Sequence, residues 1–345
     1  MRTEDFDYYL PESLIAQRPL EKRDSSRLLF LDRISGGISH HVFGNLPSFL
    51  RKGDRLVFND TKVIPARVHA VKSTGANVEF LFTEKIDDLT WKAIVNPGRR
   101  LKQGSSAQIV NSPEISLYIG QVLPGGDRIV TLRCADKTMT LQKVLEEYGH
   151  IPLPHYISRE DENSDRETYQ TVYASKPGAI AAPTAGLHFT DSLLNELHDS
   201  GIDFSYVTLH VGIGTFRPVK VSDPREHPMH QERYTLSEQT SEEILKTKRD
   251  GGRVIAVGTT VVRVLEHCSA SGALQPSCGK TELLILPSYR FKTVDGLITN
   301  FHLPKSTLLM LVCSFAGTNH VLNAYKSAVT ENYRFYSYGD AMMLL

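Results

Sequence analysis

Between residues 67 and 133, apolar and polar positions alternate in short runs: Val68/Ala70, Val78/Phe80/Phe82, Trp91/Ala93/Val95, Ala107/Ile109, Ile115/Leu117/Ile119 and Ile129/Thr131/Arg133. Turn signals separate them at Thr74-Gly75, Asn96-Pro97-Gly98 and Pro124-Gly125-Gly126. Period-two runs divided by such turns predict an antiparallel sheet that closes on itself as a small barrel. The only helical pattern in this part of the chain spans 139–148 and ends at Gly149.

The flanks change period. Thr190 is placed to cap a helix over 191–199, with Gly201 after its end. A strand over 202–211 and a helix over 237–248 follow, the latter stopping at Gly251-Gly252. Next come a strand over 253–257, a helix over 260–267 and a strand over 282–286. Two more helices are expected over 306–315, ending at Gly317, and over 320–333. The runs 27–32 and 55–59 are also strand-like. Strands alternating with helices predict an α/β layer with parallel pairing. The fold class is therefore α/β: a discontinuous α/β domain from 1–66 and 152–345, with an antiparallel β-barrel domain inserted at 67–151. A chain of 345 residues has room for two such domains.

Composition narrows the picture. Apolar residues are 41% and charged residues 23%, as in a globular protein. The 39 basic and 39 acidic side chains cancel, which excludes a cationic carpet for nucleic acid but not a local basic patch. Cys134, Cys268, Cys278 and Cys313 are widely spaced and form no CxxC pair, as expected of free thiols in a reducing compartment. The acidic N-terminus has no signal-peptide pattern, and the C-terminus has no lipidation signature. The longest uncharged apolar stretch, 306–318, is shorter than the roughly 18 residues of a membrane span. A cytoplasmic protein without membrane contact is expected.

Several polar strings sit where strands meet helices. AAPTAGLHFT at 181–190 is a tight turn before a helix, whose Thr184, Ala185 and Gly186 could offer backbone N–H groups to a carboxylate or phosphate. From spacing alone, a purely structural βα turn is the favoured reading. TLHVGIGTF at 208–216 puts His210 at a strand C-terminus, with Gly212 and Gly214 allowing close backbone approach; a core histidine beside a glycine bulge stands level with a ligand site. HPMHQE at 227–232 invites a metal, but Pro228 and the spacing do not match HExxH. An acid/base or ribose-binding role for Glu232 is preferred there, with a solvated loop as the alternative. Gly258, Thr259 and Thr260 form a junction that helix capping alone explains. Asn300, His302 and Lys305 crowd polar groups before an apolar helix, which favours function.

Together these strings identify the chain as similar to the S-adenosylmethionine:tRNA ribosyltransferase-isomerase family of queuosine biosynthesis. The resemblance also rests on DYYLP at 7–11, GDRLVFNDT at 53–61, PAR at 65–67, YQTVY at 169–173, AVGTT at 256–260, TNFHLPKSTL at 299–308 and YRFYSYGD at 333–340. It covers nearly the whole chain, least distinctively in the barrel. His155 stands where the family usually has proline, and Ser288 where it usually has glycine; both are expected in loops.

The resemblance implies that S-adenosylmethionine serves as a ribosyl donor. Its ribosyl unit moves to 7-aminomethyl-7-deazaguanine at the tRNA wobble position and is isomerised, giving epoxyqueuosine, adenine and methionine. Such chemistry needs a base for the proton beside the sulfonium, an acid for departing adenine and a dry pocket. His188, His210, Glu232 and His302 are the acid/base candidates, with their individual roles open. Thr184–Gly186, Gly212, Gly214, Gly258, Thr259, Thr260 and Asn300 are expected at the donor, with Arg217 or Lys305 on its carboxylate. Lys62, Arg67, Arg99, Arg100 and Lys102 are candidates for tRNA phosphates, provided they share one face. The partners expected are S-adenosylmethionine as co-substrate and tRNA, with no metal or other cofactor, and the protein is expected to be a monomer.

Overall fold

The computed structural model describes residues 1–212 and 219–345. The first two strands, β1 (Arg27–Leu31) and β2 (Ile38–Val42), form a hairpin, followed by β3 (Arg55–Asn59) and the short β4 (Thr61–Val63). The next six are β5 (Arg67–Val71), β6 (Asn77–Lys85), β7 (Thr90–Asn96), β8 (Ser106–Ile109), β9 (Ser112–Val122) and β10 (Arg128–Arg133). They close as a barrel in the order β10-β7-β6-β5-β8-β9, every pair antiparallel. Alternate residues such as Val68, Phe80, Ala93, Leu117 and Val130 point inward and are buried. Helix α1 (Leu141–Tyr148), capped by the Thr140 hydroxyl on Lys143 N, adds Leu141, Val144 and Leu145 to that core.

The remaining elements are α2 (Asp165–Thr168), β11 (Lys176–Ala179), α3 (Asp191–Asp199), β12 (Asp203–Leu209), β13 (Glu232–Leu236), α4 (Glu238–Arg249), β14 (Val254–Val257), α5 (Thr259–Cys268), β15 (Ser277–Thr281), β16 (Gly296–Asn300), α6 (Thr307–Ala316), α7 (Thr318–Thr330) and β17 (Ala341–Leu344). Except for β11, which pairs with β4 in a separate two-stranded sheet, their strands join β1, β2 and β3 in a nine-stranded sheet in the order β15-β13-β12-β3-β14-β16-β17-β1-β2. Its centre, β12-β3-β14-β16, is parallel. Every residue of β3, β14, β16 and β17 is buried, as expected of strands covered on both faces. The expected α/β layer with an antiparallel barrel is the fold observed.

Several local expectations change. In β10 the buried face is Val130 and Leu132, one residue out of phase with the expected Ile129/Thr131/Arg133 run; the ladder to β9 shifts at Ile129/Val130, where Gly120 is the extra residue on β9. No strand occupies 282–286. The ladder lies one step earlier, on β15, and Leu283 O instead accepts a hydrogen bond from Arg263 Nε at 3.1 Å. The final helix spans Thr318–Thr330 and does not reach residue 333. The apolar C-terminus becomes β17, inserted between β16 and β1. No single helix among the described residues is long and apolar enough to cross a membrane.

Candidate active site

Parallel pairing places the C-terminal ends of β3, β12, β14 and β16 along one edge of the sheet, where α/β folds gather ligands. Asn59 ties two of these ends together. Its Nδ2 donates to Leu209 O at 2.9 Å, and its Oδ1 accepts from Leu209 N at 3.0 Å. Beyond the edge lies a pocket of about 70 Å³ lined by Thr184, Ala185, Gly258, Thr259, Thr260, Asn300, His302 and Tyr336, among others. Gly258 turns the chain into α5 with φ of 99°, and no side chain caps that helix start. Its first N–H groups are thus the natural place for an anion. The neighbouring start of α6 is already capped by Ser306 Oγ, which accepts from Leu309 N at 3.2 Å.

Two histidines belong to this region. His302 lines the pocket; its Nε2 lies 2.8 Å from Thr299 Oγ1, and its carbonyl accepts the Tyr8 hydroxyl at 2.6 Å. Burial pushes its pKa down to about 3. His188 stands behind the pocket, stacked on Phe43 with ring centroids 5.0 Å apart, its Nδ1 2.7 Å from Ser26 Oγ. Burial lowers its pKa to about 4, which the nearby Asn300 amide partly opposes. Both imidazoles are therefore neutral at neutral pH, and burial opposes their protonation. Asn300 itself donates to Tyr336 O at 2.9 Å, and among the described residues its buried Oδ1 has no hydrogen-bond partner.

His210 and Glu232 face a larger space. A cleft of about 970 Å³ runs between β6, β7 and α1 on the barrel side and β11, β13 and β15 on the sheet side. Val211 lines both this cleft and the inner pocket, so the two share a wall. His210 Nδ1 lies 2.8 Å from Thr61 Oγ1, and burial lowers its pKa. Gly178 leaves room for the ring: a Cβ there would stand 2.9 Å from His210 Cε1. Glu232 is buried at the start of β13, accepts Gly212 N at 3.1 Å through Oε1 and forms an ion pair with Arg263 of α5.

The other candidates scatter more. Gly186 donates its N–H to Pro183 O at 2.9 Å, within the turn itself. Lys305 is held by Glu4 at 2.7 Å and Asp7 at 3.0 Å rather than facing the pocket. Gly214 and Arg217 lie outside the described residues. Lys62 lines the cleft, while Arg67 pairs with Glu79 at 3.6 Å and donates to Leu153 O. Arg99, Arg100 and Lys102 follow β7, and Arg100 reaches Asn77 O at the start of β6. Glu84, which lines the cleft, lies near the end of that strand, about 20 Å away at roughly 3.3 Å per residue. Asn59 and Arg263 were missed, although each leaves a trace: one polar residue ends the all-buried β3, and one arginine interrupts the apolar face of α5.

An α/β sheet with an inserted barrel and buried histidines around a pocket at its strand ends defines an enzyme-type architecture, and similarity to known proteins specifies which. The chain belongs to the queuosine biosynthesis protein family, whose profile matches residues 3–344. It is 50% identical over 347 residues to an S-adenosylmethionine:tRNA ribosyltransferase-isomerase of Carboxydothermus hydrogenoformans, covering all of both chains. It is 49% identical over 344 residues to the protein of the same name from Thermosipho africanus, again covering both completely. Among solved structures it resembles an S-adenosylmethionine tRNA ribosyltransferase from Thermotoga maritima, with 37% identity, a TM-score of 0.57 and coverage of 99% of this chain and 100% of that one.

Proposed function

We propose that the chain transfers and isomerises the ribosyl unit of S-adenosylmethionine onto 7-aminomethyl-7-deazaguanine in tRNA, releasing adenine and methionine. The observation that carries this reading is the union of an inner pocket at the parallel strand ends with a wide cleft beside the barrel, meeting at Val211. The inner pocket suits the methionyl end of the donor. Its carboxylate sits at the uncapped start of α5, near Thr259 and Thr260, and Asn300 Oδ1 accepts from its ammonium. The ribosyl and adenine portions extend past Val211 into the cleft, where the tRNA base arrives.

The positive sulfur acidifies the adjacent methylene, and the neutral imidazole of His210, which lines the cleft, takes that proton, while His302 lines the inner pocket. Ring opening expels adenine; the tRNA amine captures the carbon skeleton, and methionine leaves as the epoxide closes. His188 supports Asn300 from behind, and Glu232, which holds Gly212 at the cleft wall, serves as a second acid/base group there. Lys62, with Arg67 and the Arg99–Arg100–Lys102 turn further out, meets tRNA phosphates. The reading includes a cytoplasmic monomer with S-adenosylmethionine as its only co-substrate. It divides the chain at 66/67 and 151/152, supported by a barrel core drawn from residues between Val68 and Leu145.

A pure RNA-binding module would leave the inner pocket unexplained. Calorimetric titration separates the two: S-adenosylmethionine should bind the RNA-free protein, and Thr259→Pro, which removes an N–H at the start of α5, should weaken that binding. Absence of any binding to the folded protein would favour the RNA-binding module.

A further inference from the structure

Six cations line the cleft: Lys62, Lys85, Lys92, Arg166, Arg233 and Lys280. Four carboxylates share it, Glu84, Asp127, Glu146 and Glu232, and the last is already matched by buried Arg263. The cleft is therefore positive in a chain whose formal charges cancel. Three of the six cations converge on Glu84. Lys92 Nζ lies 2.7 Å from its carboxylate and Lys280 Nζ 3.7 Å, and the Arg233 guanidinium pairs with it as well. Glu84 and Lys92 belong to barrel strands, Arg233 and Lys280 to β13 and β15, so the cluster bridges the cleft.

One carboxylate cannot neutralise three cations, and the cluster keeps two uncompensated charges. The side chains of Lys92, Arg233 and Lys280 are 33%, 55% and 45% exposed, so they remain within reach of a ligand. Ion pairs this exposed contribute little to stability. Their arrangement resembles what a phosphodiester needs, an arginine and two lysines around one anionic centre.

We propose that Glu84 holds, in the RNA-free enzyme, the place of a tRNA backbone phosphate, which displaces the carboxylate and takes over Lys92, Arg233 and Lys280. The proposal rests on the reading of tRNA as substrate and specifies where one phosphate sits. It predicts an unusual sign. Removing a charged residue that clasps the barrel to the sheet would ordinarily weaken the cleft. Here, removing the competing carboxylate strengthens RNA binding.

The test is fluorescence anisotropy of a labelled anticodon stem-loop RNA at fixed ionic strength, with the full-length protein. Glu84→Gln should tighten binding by about three- to tenfold, the gain from one phosphate contact freed of competition. Asp127→Asn, which removes a cleft carboxylate outside the cluster, should change it by less than about twofold. Lys280→Ala should weaken binding, and more so when combined with Glu84→Gln than alone. Glu84→Ala repeats the measurement without an amide to bond the cations. Weakened or unchanged binding in both Glu84 variants overturns the proposal, as does a gain no larger than that of Asp127→Asn. Wild-type protein that binds no RNA at all overturns the substrate reading as well, which separates the two failures.

Discussion

Glu232 is the candidate whose structural and chemical roles separate most cleanly. Its side chain and that of Arg263 are each only 5% exposed, and they form a buried ion pair. Glu232→Gln preserves the shape and the acceptor for Gly212 N but leaves the Arg263 guanidinium without a counter-charge. Among the described residues the Nη2 of Arg263 already has no hydrogen-bond partner. Breaking such a pair by removing one partner costs about 3–5 kcal/mol, and the retained amide contact places this case near the lower end. Urea unfolding followed by far-UV circular dichroism reads that loss. Removing the second charge, as in Glu232→Gln/Arg263→Met, relieves the unpaired cation and should restore stability to within about 1 kcal/mol of wild type. Turnover should not return with it. As an acid/base group, Glu232 is worth on the order of 10²–10⁴-fold, and stability repair does not replace it. A single variant that loses less than about 1 kcal/mol would refute the buried-pair reasoning. A double variant with near-normal turnover would refute the chemical role.

Three further predictions follow from local geometry. With a folded pKa of about 4 against an ordinary 6.5, His188 takes up a proton in the unfolded chain before it does so in the folded one. Stability from this group is therefore complete above about pH 6.5 and falls toward pH 4 by about 3 kcal/mol in all; His188→Gln should flatten the pH dependence of urea midpoints, and an unchanged slope contradicts the burial argument. Gly178→Ala would bring a Cβ within 2.9 Å of the His210 ring, so on the order of 10²-fold should be lost in turnover while donor affinity is kept; activity within twofold removes His210 from the reaction. Ser288 has φ of 88° after Pro287, in a turn closed by Tyr289 N donating to Leu286 O at 3.0 Å, a type II geometry that favours glycine. Ser288→Gly should raise stability by about 0.5–1 kcal/mol, and a loss would mean the serine side chain contributes more than the strain costs.

The fold was legible where one face of an element is buried. The inward residues of β5 to β9 alternate as expected, and α3 begins at its Thr190 cap. In β10 the buried face is marked by the apolar pair Val130 and Leu132, against which the polar Thr131 and Arg133 of the expected face stand outside the core. The polar β15 (SCGKT) was missed because backbone pairing at a sheet edge requires no apolar side chains, while the apolar stretch beside it drew the strand assignment. Site residues were legible as strings but not as a constellation. The motifs brought His210 and His302 to strand ends, yet only tertiary contact shows Lys305 between Glu4 and Asp7, or Glu232 facing Arg263 from another element.

The most direct test of the account is product stoichiometry. The protein is incubated with S-adenosylmethionine and tRNA carrying 7-aminomethyl-7-deazaguanine, and nucleosides and small molecules are quantified by mass spectrometry. Adenine, methionine and epoxyqueuosine-modified tRNA should appear in equimolar amounts, with none formed when the tRNA lacks the aminomethyl base. Accumulation of S-adenosylhomocysteine without adenine would mean that the donor gives up its methyl group, and would contradict ribosyl transfer.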